Sequence, residues 1–330
     1  MACYFDARWI GEHGIGRFAT ELQHRLEVAP LPLRGGPSDP IDPFRLARKL
    51  SQLRPGDSFF SPGYNGPIFS RVPYAVTVHD LNHIDCESNS NFMKRVYYEI
   101  ILKRVCRSAV GVFTVSDFSK SRIIEWAGID SDRVFNVGNG VSEIFSRDVG
   151  LHQPGYEYIF CVSNRRGHKN EEGVIKAFAA SRLPSAVRLV VTGSSTPELL
   201  QLSAREGVKD RIIFAGRLSE LQLAQYYRGA VMLLFPSFYE GFGLPIIEAF
   251  ASDTPVITSN VTSMPEIAGD GAILVNPYSV AEISQAIERI YDDRVLRGIL
   301  VEKGRLRQQA FTWNAVTDRV EVAMRHIGMI

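Results

Sequence analysis

The segment that decides the fold reads Ser237-Phe238-Tyr239-Glu240-Gly241-Phe242-Gly243-Leu244-Pro245-Ile246-Ile247-Glu248-Ala249-Phe250. The apolar run at residues 231–235 precedes it and is typical of a buried parallel strand. Pro245 suits the first turn of a following helix, where its missing N–H costs nothing. Strand, glycine-containing loop and helix in this order predict an α/β fold with a parallel sheet.

The loop and the start of the helix are predicted to bind an anionic group of a ligand that also carries hydroxyls. Gly241 and Gly243 leave backbone amides uncovered just ahead of the helix, and such a helix N-terminus binds anions. Glu248 lies about one turn inside the helix, while Glu240 lies in the loop. The two carboxylates can reach hydroxyls on either side of a bound phosphate, which indicates a nucleotide-sugar site. The alternative is a helix-capping loop with two solvated acids.

Two glutamates separated by seven residues, in Glu-Gly-Phe-Gly-Leu-Pro-Ile-Ile-Glu-Ala at 240–249, closely resemble the signature of the family 4 retaining glycosyltransferases. The resemblance implies the GT-B fold, with two Rossmann-like domains that face each other across a cleft. It implies that Glu240 binds sugar hydroxyls and that Glu248 binds the ribose of the donor. It assigns the donor diphosphate to the backbone of Gly241, Phe242, Gly243 and Leu244.

Length and composition narrow the class of protein. A chain of 330 residues is long enough for two domains, and 45% hydrophobic and 22% charged residues are ordinary for a globular protein. The formal net charge of +1 gives no electrostatic case for nucleic-acid binding. The four cysteines include no close pair that would indicate zinc or redox chemistry. No apolar run approaches the ~20 residues that span a bilayer and no basic-then-apolar leader is visible, so we expect a cytoplasmic protein.

Strand-like runs alternate with helical stretches, which predicts parallel sheets covered by helices. The predicted strands are 2–7, 74–78, 110–115, 158–162, 187–192, 212–215, 231–235, 255–258 and 272–275. The predicted helices include 17–26, 44–53, 92–108, 116–127, 220–228 and 282–292.

A linker is predicted at residues 145–156, where Ser146, Gly150, Pro154 and Gly155 interrupt the pattern. We therefore expect an N-terminal Rossmann-like acceptor-binding domain over 1–148 and a nucleotide-sugar-binding domain over 149–312. The resemblance adds a C-terminal helix, within 313–330, that packs back on the first domain.

A glycine-containing turn follows the first predicted strand. Gly14-Ile15-Gly16-Arg17-Phe18-Ala19 formally fits the dinucleotide fingerprint. Residues 9–13 separate it from that strand and no acid-tipped second strand follows about 20 residues on, which disfavours NAD. It is more similar to the glycine-rich loop of the family, which lies near the donor phosphates. In that loop Gly16 would be the residue whose backbone comes close to the phosphates. A plain loop-to-helix turn is the alternative.

His79-Asp80 directly follows the predicted strand 74–78, at the carboxyl end where ligands of such sheets bind. The pair resembles the active-site His-Asp of the family. This implies that His79 contacts the donor hexose and that Asp80 helps the acceptor or orients the histidine. The alternative is that both are ordinary polar residues at a strand end, whose hydrogen bonds are made within the protein.

Basic residues follow the first strand of the second half, in Asn164-Arg165-Arg166-Gly167-His168-Lys169-Asn170. Lys169-Asn170 matches the Lys-Asn step of the family, which makes Lys169 a candidate for the donor phosphates. A fixed cation stabilises the departing diphosphate more than the ground state. The usual arginine of the family has no match at its position, so Arg165 or Arg166 replaces it, with Arg165 slightly favoured. A solvated basic loop is the alternative.

Two further turns extend the resemblance. Gly216-Arg217-Leu218 is similar to the turn that holds the nucleotide base through backbone contacts, with Gly216 as the residue concerned. Thr262-Ser263-Met264-Pro265-Glu266 is similar to the loop after the glutamate helix, where Glu266 is expected to be a cap or a structural acid.

No metal and no other cofactor are expected. Asp130-Ser131-Asp132 has the form of the Asp-x-Asp that binds a divalent cation in the other major transferase fold. Here it follows a predicted helix and is typical of a surface turn with a helix cap. Lys169 and a helix N-terminus can supply the positive charge instead.

The predicted helix 92–108 carries basic residues among aromatic and aliphatic ones, so it could dock on a membrane surface or a lipid-linked acceptor. At ~100° per residue, Lys94 and Arg95 lie roughly opposite Lys103 and Arg107, so the charges form no single stripe. A partly buried helix with solvated ends is favoured over membrane contact.

These residues favour an enzyme that moves a hexose from a nucleotide-sugar donor, with retention, to a glycan or lipid-linked oligosaccharide acceptor in polysaccharide or envelope biosynthesis. The habits of the family favour GDP-mannose, while backbone contacts to the base leave UDP and ADP open. The alternatives are another nucleotide-sugar enzyme of the same fold, such as an epimerase, or a non-catalytic transferase partner. The sequence does not indicate the oligomeric state.

Overall fold

The computed structural model describes residues 2–11, 14–86 and 90–330. The chain forms two compact units, Met1–Gly140 with Thr312–Ile330 and Val141–Phe311. It passes from the first unit to the second after Gly140, rather than at residue 148. The predicted linker at 145–156 therefore belongs to the second unit.

Regular elements cover most of both units. In chain order the strands are β1 (Cys3–Phe5), β2 (Ala29–Pro30), β3 (Ser58–Ser61), β4 (Tyr74–Thr77), β5 (Gly111–Thr114), β6 (Val134–Asn136), β7 (Tyr158–Cys161), β8 (Arg188–Val191), β9 (Ile212–Phe214), β10 (Met232–Phe235), β11 (Val256–Ser259) and β12 (Ala272–Val275). The α-helices are α1 (Gly14–Arg25), α2 (Asp42–Leu50), α3 (Asn82–Asp85), α4 (Phe92–Val96), α5 (Lys103–Ser108), α6 (Asp117–Ala127), α7 (Glu171–Ala180), α8 (Pro197–Arg205), α9 (Glu220–Gly229), α10 (Leu244–Ala251), α11 (Met264–Ala268), α12 (Val280–Asp292), α13 (Arg294–Gln308) and α14 (Trp313–His326).

In the described residues the first unit has one parallel sheet of six strands, in the order β2-β1-β3-β4-β5-β6. The chain runs to one side from β1 to β2 and to the other side from β3 onward, so the topological switch point lies between β1 and β3. The sequence did not predict β2 or β3. β2 has two residues, and in β3 only Phe59 and Phe60 are apolar between two serines, so neither forms a recognisable apolar run.

The second unit, over the same described residues, also has a parallel sheet of six strands, in the order β12-β11-β10-β7-β8-β9. Its switch point lies between β7 and β10, which are neighbours in space but not in sequence. Every residue of β7, β10 and β11 is buried, as expected for parallel strands that are covered on both faces. The ends of these strands position the candidate site.

The last helix, α14, packs on the first unit, where the family resemblance places it. Its Trp313, Val316 and Val320 share an apolar cluster with Phe18 and Phe113. Nε of Arg319 donates to the carbonyl oxygen of Val137 at 2.8 Å. The apolar face of α14 is therefore buried against the first sheet although the second unit precedes it in sequence.

The predicted helix 92–108 is helical throughout but not uniform. A π-helical turn, Tyr97–Leu102, lies between α4 and α5. Tyr98, Leu102 and Val105 are buried, while Phe92 is 78% exposed, so the helix is partly buried with solvated residues at its start. No helix in the part of the chain that the structure describes is long and apolar enough to cross a membrane.

Cys3, Cys106 and Cys161 are buried free thiols. Burial raises the pKa of Cys106 and that of Cys161 to about 12. Both thiols are therefore protonated near neutral pH and poorly nucleophilic.

Candidate functional site

An ion pair lies at the switch point of the second sheet. Lys169 is in the loop after β7 and Glu240 in the loop after β10, and Nζ of the lysine lies 2.7 Å from Oε1 of the glutamate. Their side chains are only 11% and 12% exposed, and the ammonium lies 4.8 Å from the centroid of the buried Phe235 ring. A partly buried charge is screened less by solvent and salt than a surface charge. The structure thus brings together two predicted site residues where doubly wound sheets bind ligands.

Asn170 holds the loop that carries Lys169. Its backbone is left-handed, with φ of +56°. Its Oδ1 accepts the N–H of Gly173 and caps α7, while its Nδ2 donates to the carbonyl oxygens of Pro236 at 3.0 Å and Pro277 at 2.8 Å. One buried amide therefore ties together the loops after three strands. Asparagine in the Lys-Asn step was the signal for this role, because asparagine tolerates the left-handed conformation.

The glycine-containing loop ends directly at α10. Gly243 has φ of +100°, which favours glycine, and it precedes Leu244, the first residue of the helix. Thr262 and Ser263 brace the loop: Oγ1 of Thr262 accepts the N–H of Glu240 at 3.3 Å, and Oγ of Ser263 lies 2.9 Å from the carbonyl oxygen of Glu240. Sequence reasoning placed these two residues in a family loop but did not predict this bracing role.

Glu248 is buried in α10, with 3% of its surface exposed. Its Oε2 accepts a hydrogen bond of 2.9 Å from the hydroxyl of Tyr227, which is fully buried on α9. The carboxylate is therefore held in place by a side chain of the neighbouring helix. Sequence reasoning missed Tyr227, because no motif or spacing relates it to Glu248.

Arg165 and Arg166 have different surroundings. Arg165 has φ of +62°, and its guanidinium forms an ion pair with Glu171 and donates to the carbonyl oxygen of Ser194 at 2.6 Å. These contacts tie the loop after β7 to the loop after β8. Arg166 is exposed. The favoured candidate, Arg165, thus already has partners within the protein, so Arg166 stays the alternative phosphate ligand.

Gly216 lies in a tight contact between two loops. Its backbone has φ of +69°. Its N–H donates to the carbonyl oxygen of Gly193 at 3.2 Å, and its own carbonyl accepts the N–H of Gly193 at 2.7 Å. Because the N–H of Gly216 already donates to Gly193, a contact between this turn and a nucleotide base would use other backbone atoms.

In the first unit, His79 and Asp80 follow β4. The Nε2 atom of His79 lies 3.0 Å from the carbonyl oxygen of Pro62. A carbonyl only accepts, so the proton of this bond belongs to Nε2, and the ring also packs edge-on against Phe18 with centroids 4.9 Å apart. Oδ1 of Asp80 accepts the backbone N–H of Asn82 at 3.0 Å, which stabilises the turn into α3. The imidazole is thus fixed at the carboxyl edge of the first sheet.

Gly16 lies in the first turn of α1 rather than in a loop, because the helix begins at Gly14 and not at residue 17. A Cβ atom at this position would lie 2.5 Å from the carbonyl oxygen of Gly11. The backbone of Gly16 is therefore closely approached by the chain's own preceding turn, and its approach to the donor phosphates stays a prediction.

We expect Gly16→Ala to lower the free energy of unfolding of the first unit by about 1–3 kcal/mol, the usual cost of overpacking. Urea unfolding followed by tryptophan fluorescence checks this. Gly298→Ala is the control, because its new methyl group meets no atom within 4 Å and alanine favours a helix. Its unfolding transition, followed by circular dichroism, should occur at the same or a slightly higher urea concentration than that of the wild type. Unaltered stability of Gly16→Ala would show that α1 can shift away from Gly11 at no cost.

A buried network of charges lies at the switch point of the first sheet. Asp6 and Asp42 are both 0% exposed and both form ion pairs with Arg8, at 2.7 and 2.6 Å. Nδ2 of Asn65 donates to both carboxylates at 2.9 Å, and Oδ1 of Asn65 accepts Nε1–H of Trp9 at 2.5 Å. Burial alone would lower the pKa of the Arg8 guanidinium, but the hydrogen bonds to Asp6 and Asp42 outweigh it and raise that pKa. No motif in the sequence marks this network.

Asp130-Ser131-Asp132 leads into a short 3₁₀ turn, Ser131–Arg133. Asp130 occupies the N-cap position, but its side chain makes no capping hydrogen bond, so the predicted cap is wrong in this detail. Among the residues that the structure describes, no group of three or more His, Cys, Asp or Glu side chains is placed to hold a metal ion.

Two family profiles match successive parts of the chain. "Glycosyltransferase Family 4" matches residues 6–143, and "Glycosyl transferases group 1" matches residues 142–307. Together they cover residues 6–307. The family predicted from the two glutamates is therefore confirmed.

Individual relatives agree with these profiles. The chain is 31% identical to the O-antigen chain mannosyltransferase B of Escherichia coli over 297 residues, which cover 84% of this chain and 78% of that protein. It is 28% identical to the serotype-specific mannosyltransferase WbdA of Escherichia coli over 222 residues, 62% of this chain but only 27% of the relative.

A solved structure of similar fold is Anabaena Alr3699/HepE in complex with UDP-glucose, with a TM-score of 0.78 and 15% identity over 99% of this chain and 100% of that one. The fold is GT-B, as predicted.

Proposed function

Because the chain belongs to the family 4 glycosyltransferases, we propose that it transfers mannose from GDP-mannose, with retention, to a glycan or lipid-linked oligosaccharide acceptor of polysaccharide biosynthesis. The observation that carries the proposal is the partly buried ion pair of Lys169 and Glu240 at the switch point of the second sheet. The choice of mannose is supported by relatives whose names describe mannosyltransferases.

Lys169 is proposed to bind the donor diphosphate. An ammonium has three N–H donors, so it can keep its bond to Glu240 and also donate to a phosphate oxygen. Negative charge accumulates on the diphosphate as the glycosidic bond breaks. A cation that is already fixed beside it stabilises this charge without reorganisation during the reaction. Lys169 therefore takes the part that a divalent cation plays elsewhere, and we propose transfer without a metal or other cofactor.

The α10 segment is proposed to bind the rest of the donor. The backbone from Gly241 to Leu244 meets the diphosphate at the helix N-terminus. Glu240 holds hydroxyls of the hexose, and Glu248, pre-positioned by Tyr227, holds the ribose. In the first unit, Gly16, His79 and Asp80 keep the donor and acceptor roles that the family resemblance assigns. Retention without a positioned nucleophile fits front-face attack, in which the leaving phosphate accepts the proton of the acceptor hydroxyl.

Contact with a membrane surface would suit a lipid-linked acceptor. Phe92, Met93 and Ile100 on the segment 92–108 are 78%, 69% and 62% exposed, with Lys94 and Arg95 beside the first two. We propose this segment as a peripheral membrane contact, because apolar side chains flanked by basic ones favour an anionic interface. Sedimentation with anionic vesicles tests the contact, and Phe92→Ser with Ile100→Ser should lower the bound fraction.

A thermal-shift panel of GDP, UDP, ADP, their mannose and glucose conjugates and NAD tests the donor. We expect GDP-mannose to raise the unfolding temperature, because a ligand at a hundredfold excess over its Kd stabilises by about 2.7 kcal/mol. The shift should vanish in Glu248→Ala and be reduced less in Glu248→Gln, which keeps a hydrogen-bond acceptor for Tyr227. Each variant is compared with its own ligand-free unfolding temperature, because loss of a buried polar partner also destabilises the protein.

Other outcomes identify other functions. A shift with UDP-glucose alone would replace the donor, and a shift with NAD alone would contradict the nucleotide-sugar site. Binding of GDP-mannose without any hydrolysis or transfer would favour a non-catalytic partner. Loss of transfer in EDTA would contradict the metal-free mechanism, and an inverted anomeric signal in the NMR spectrum of the product would contradict retention.

A further inference from the structure

A cavity of about 530 Å³ lies at the carboxyl edge of the second sheet. Its walls include Arg166 and Gly167 from the loop that carries Lys169, and Phe238 from the loop that carries Glu240. Lys169 and Glu240 themselves are not among the residues that line it. The cavity is thus distinct from the ion pair, although the same two loops build both.

An aromatic pair forms part of the cavity wall. The rings of Phe238 and Tyr278 are stacked, with centroids 4.8 Å apart and an angle of 23° between their planes. Tyr278 is 72% exposed, so one face of its ring rests on Phe238 while the rest is open to solvent. The backbone N–H of Phe238 donates to the carbonyl oxygen of His168 at 2.7 Å, and this bond holds Phe238 in place beneath Tyr278. A supported tyrosine of this kind offers an apolar face together with a polar hydroxyl.

The charges around the cavity balance. Its charged lining residues are Arg165, Arg166, Lys176, Glu171, Glu172 and Glu198, three of each sign. Two of the acids are already paired, Glu171 with Arg165 and Glu172 with Lys176. A lining without net charge disfavours a nucleoside diphosphate. It suits a polyol instead, because each sugar hydroxyl can donate to a carboxylate and accept from a guanidinium.

We propose that this cavity is a second saccharide-binding site, which holds sugar units of the acceptor glycan apart from the reacting end. The volume lies within the range of small-molecule sites, roughly 300–1,000 Å³. The CH face of a pyranose ring packs on Tyr278, and the paired charges bind its hydroxyls. The identity of the glycan rests on the proposed function. An acceptor that is anchored here has a raised effective concentration at the reacting centre, so long acceptors are favoured over short ones.

Binding of α-mannotetraose, measured by isothermal titration calorimetry, tests the site. We expect Tyr278→Ala to weaken this binding at least tenfold, while Tyr278→Phe, which keeps the stacked ring, stays within about threefold of the wild type. Tyr156→Ala is the matched control. Tyr156 lies just before β7, at the opposite edge of the same sheet, and its removal should leave the affinity unchanged.

Kinetics supply an independent readout. In Tyr278→Ala the KM for mannotetraose should rise about tenfold, while the KM for a monosaccharide acceptor and the thermal shift with GDP-mannose stay the same. No binding of mannotetraose by the wild type, or equal binding by Tyr278→Ala, would overturn the proposal. So would a loss of GDP binding in Tyr278→Ala, because the cavity would then be a nucleotide site. Failure of the proposed function has a different signature: the wild type would bind no GDP-mannose, whatever its affinity for the saccharide.

Discussion

Lys169→Ala is expected to lower kcat by about 10²- to 10³-fold, the loss typical of removing one fixed group that stabilises transition-state charge. The affinity for GDP-mannose should fall much less, because the diphosphate carries more localised charge in the transition state than in the bound donor. Single-turnover rates at saturating donor, together with donor affinity from calorimetry, separate the two effects. Equal losses in binding and in rate would contradict the electrostatic role.

Two variants control for the loss of the ion pair itself. Glu240 is only 12% exposed and loses its partner in Lys169→Ala, so part of any loss could come from a displaced carboxylate. Lys169→Arg keeps the charge and should retain far more activity than the alanine variant. Lys303, whose Nζ lies 3.0 Å from Asp270 on the surface of the same unit, provides the matched Lys303→Ala, for which we expect unchanged kcat.

Arg8→Met is expected to lower the free energy of unfolding of the first unit by about 3–5 kcal/mol, because it leaves the carboxylates of Asp6 and Asp42 buried without a cation. All three tryptophans, Trp9, Trp126 and Trp313, belong to this unit. Urea unfolding followed by tryptophan fluorescence therefore reports on the first unit alone, and the loss appears as an earlier transition.

Two further substitutions serve as controls for the loss of stability in Arg8→Met. Arg8→Lys keeps a charge but cannot reproduce the forked contacts to two carboxylates, so its stability should lie between those of the wild type and Arg8→Met. Arg325→Met removes a more exposed pair with Glu321 in the same unit and should cost less than about 1 kcal/mol. If Arg8→Met cost no more than Arg325→Met, the network would contribute nothing to the stability of the unit.

Much of the candidate site could be predicted because its signals are local. The run before the Glu240 loop is apolar along its whole length, and β10 is buried there. Gly243 and Pro245 mark the entry to α10 within three residues, and the structure has the helix start at Leu244 between them. Lys169 was likewise marked by its neighbour Asn170. Such signals work because backbone conformation and burial leave a pattern inside a short stretch of sequence.

No sequence signal marked the contacts that join distant segments. Arg165 was favoured over Arg166 from sequence position, yet its guanidinium reaches Glu171 and Ser194, the latter 29 residues away. Tyr227 supports Glu248 from another helix, and no spacing relates the two. β3 escaped recognition because two apolar residues between serines have no periodicity, although its place in the centre of the sheet buries all four.

The sequence by itself therefore determined the family, the α/β class, the strand that precedes the paired glutamates and the lysine that faces them. Only the tertiary structure decided that β7 lies beside β10, which places Lys169 2.7 Å from Glu240. It also decided that Arg8 neutralises two buried aspartates, and that Phe238 supports Tyr278 across 40 residues of chain. The physical reason is that hydrophobic burial and backbone preference repeat along neighbouring residues, whereas a pair of polar or aromatic side chains brought together by strand order leaves no repeat to detect.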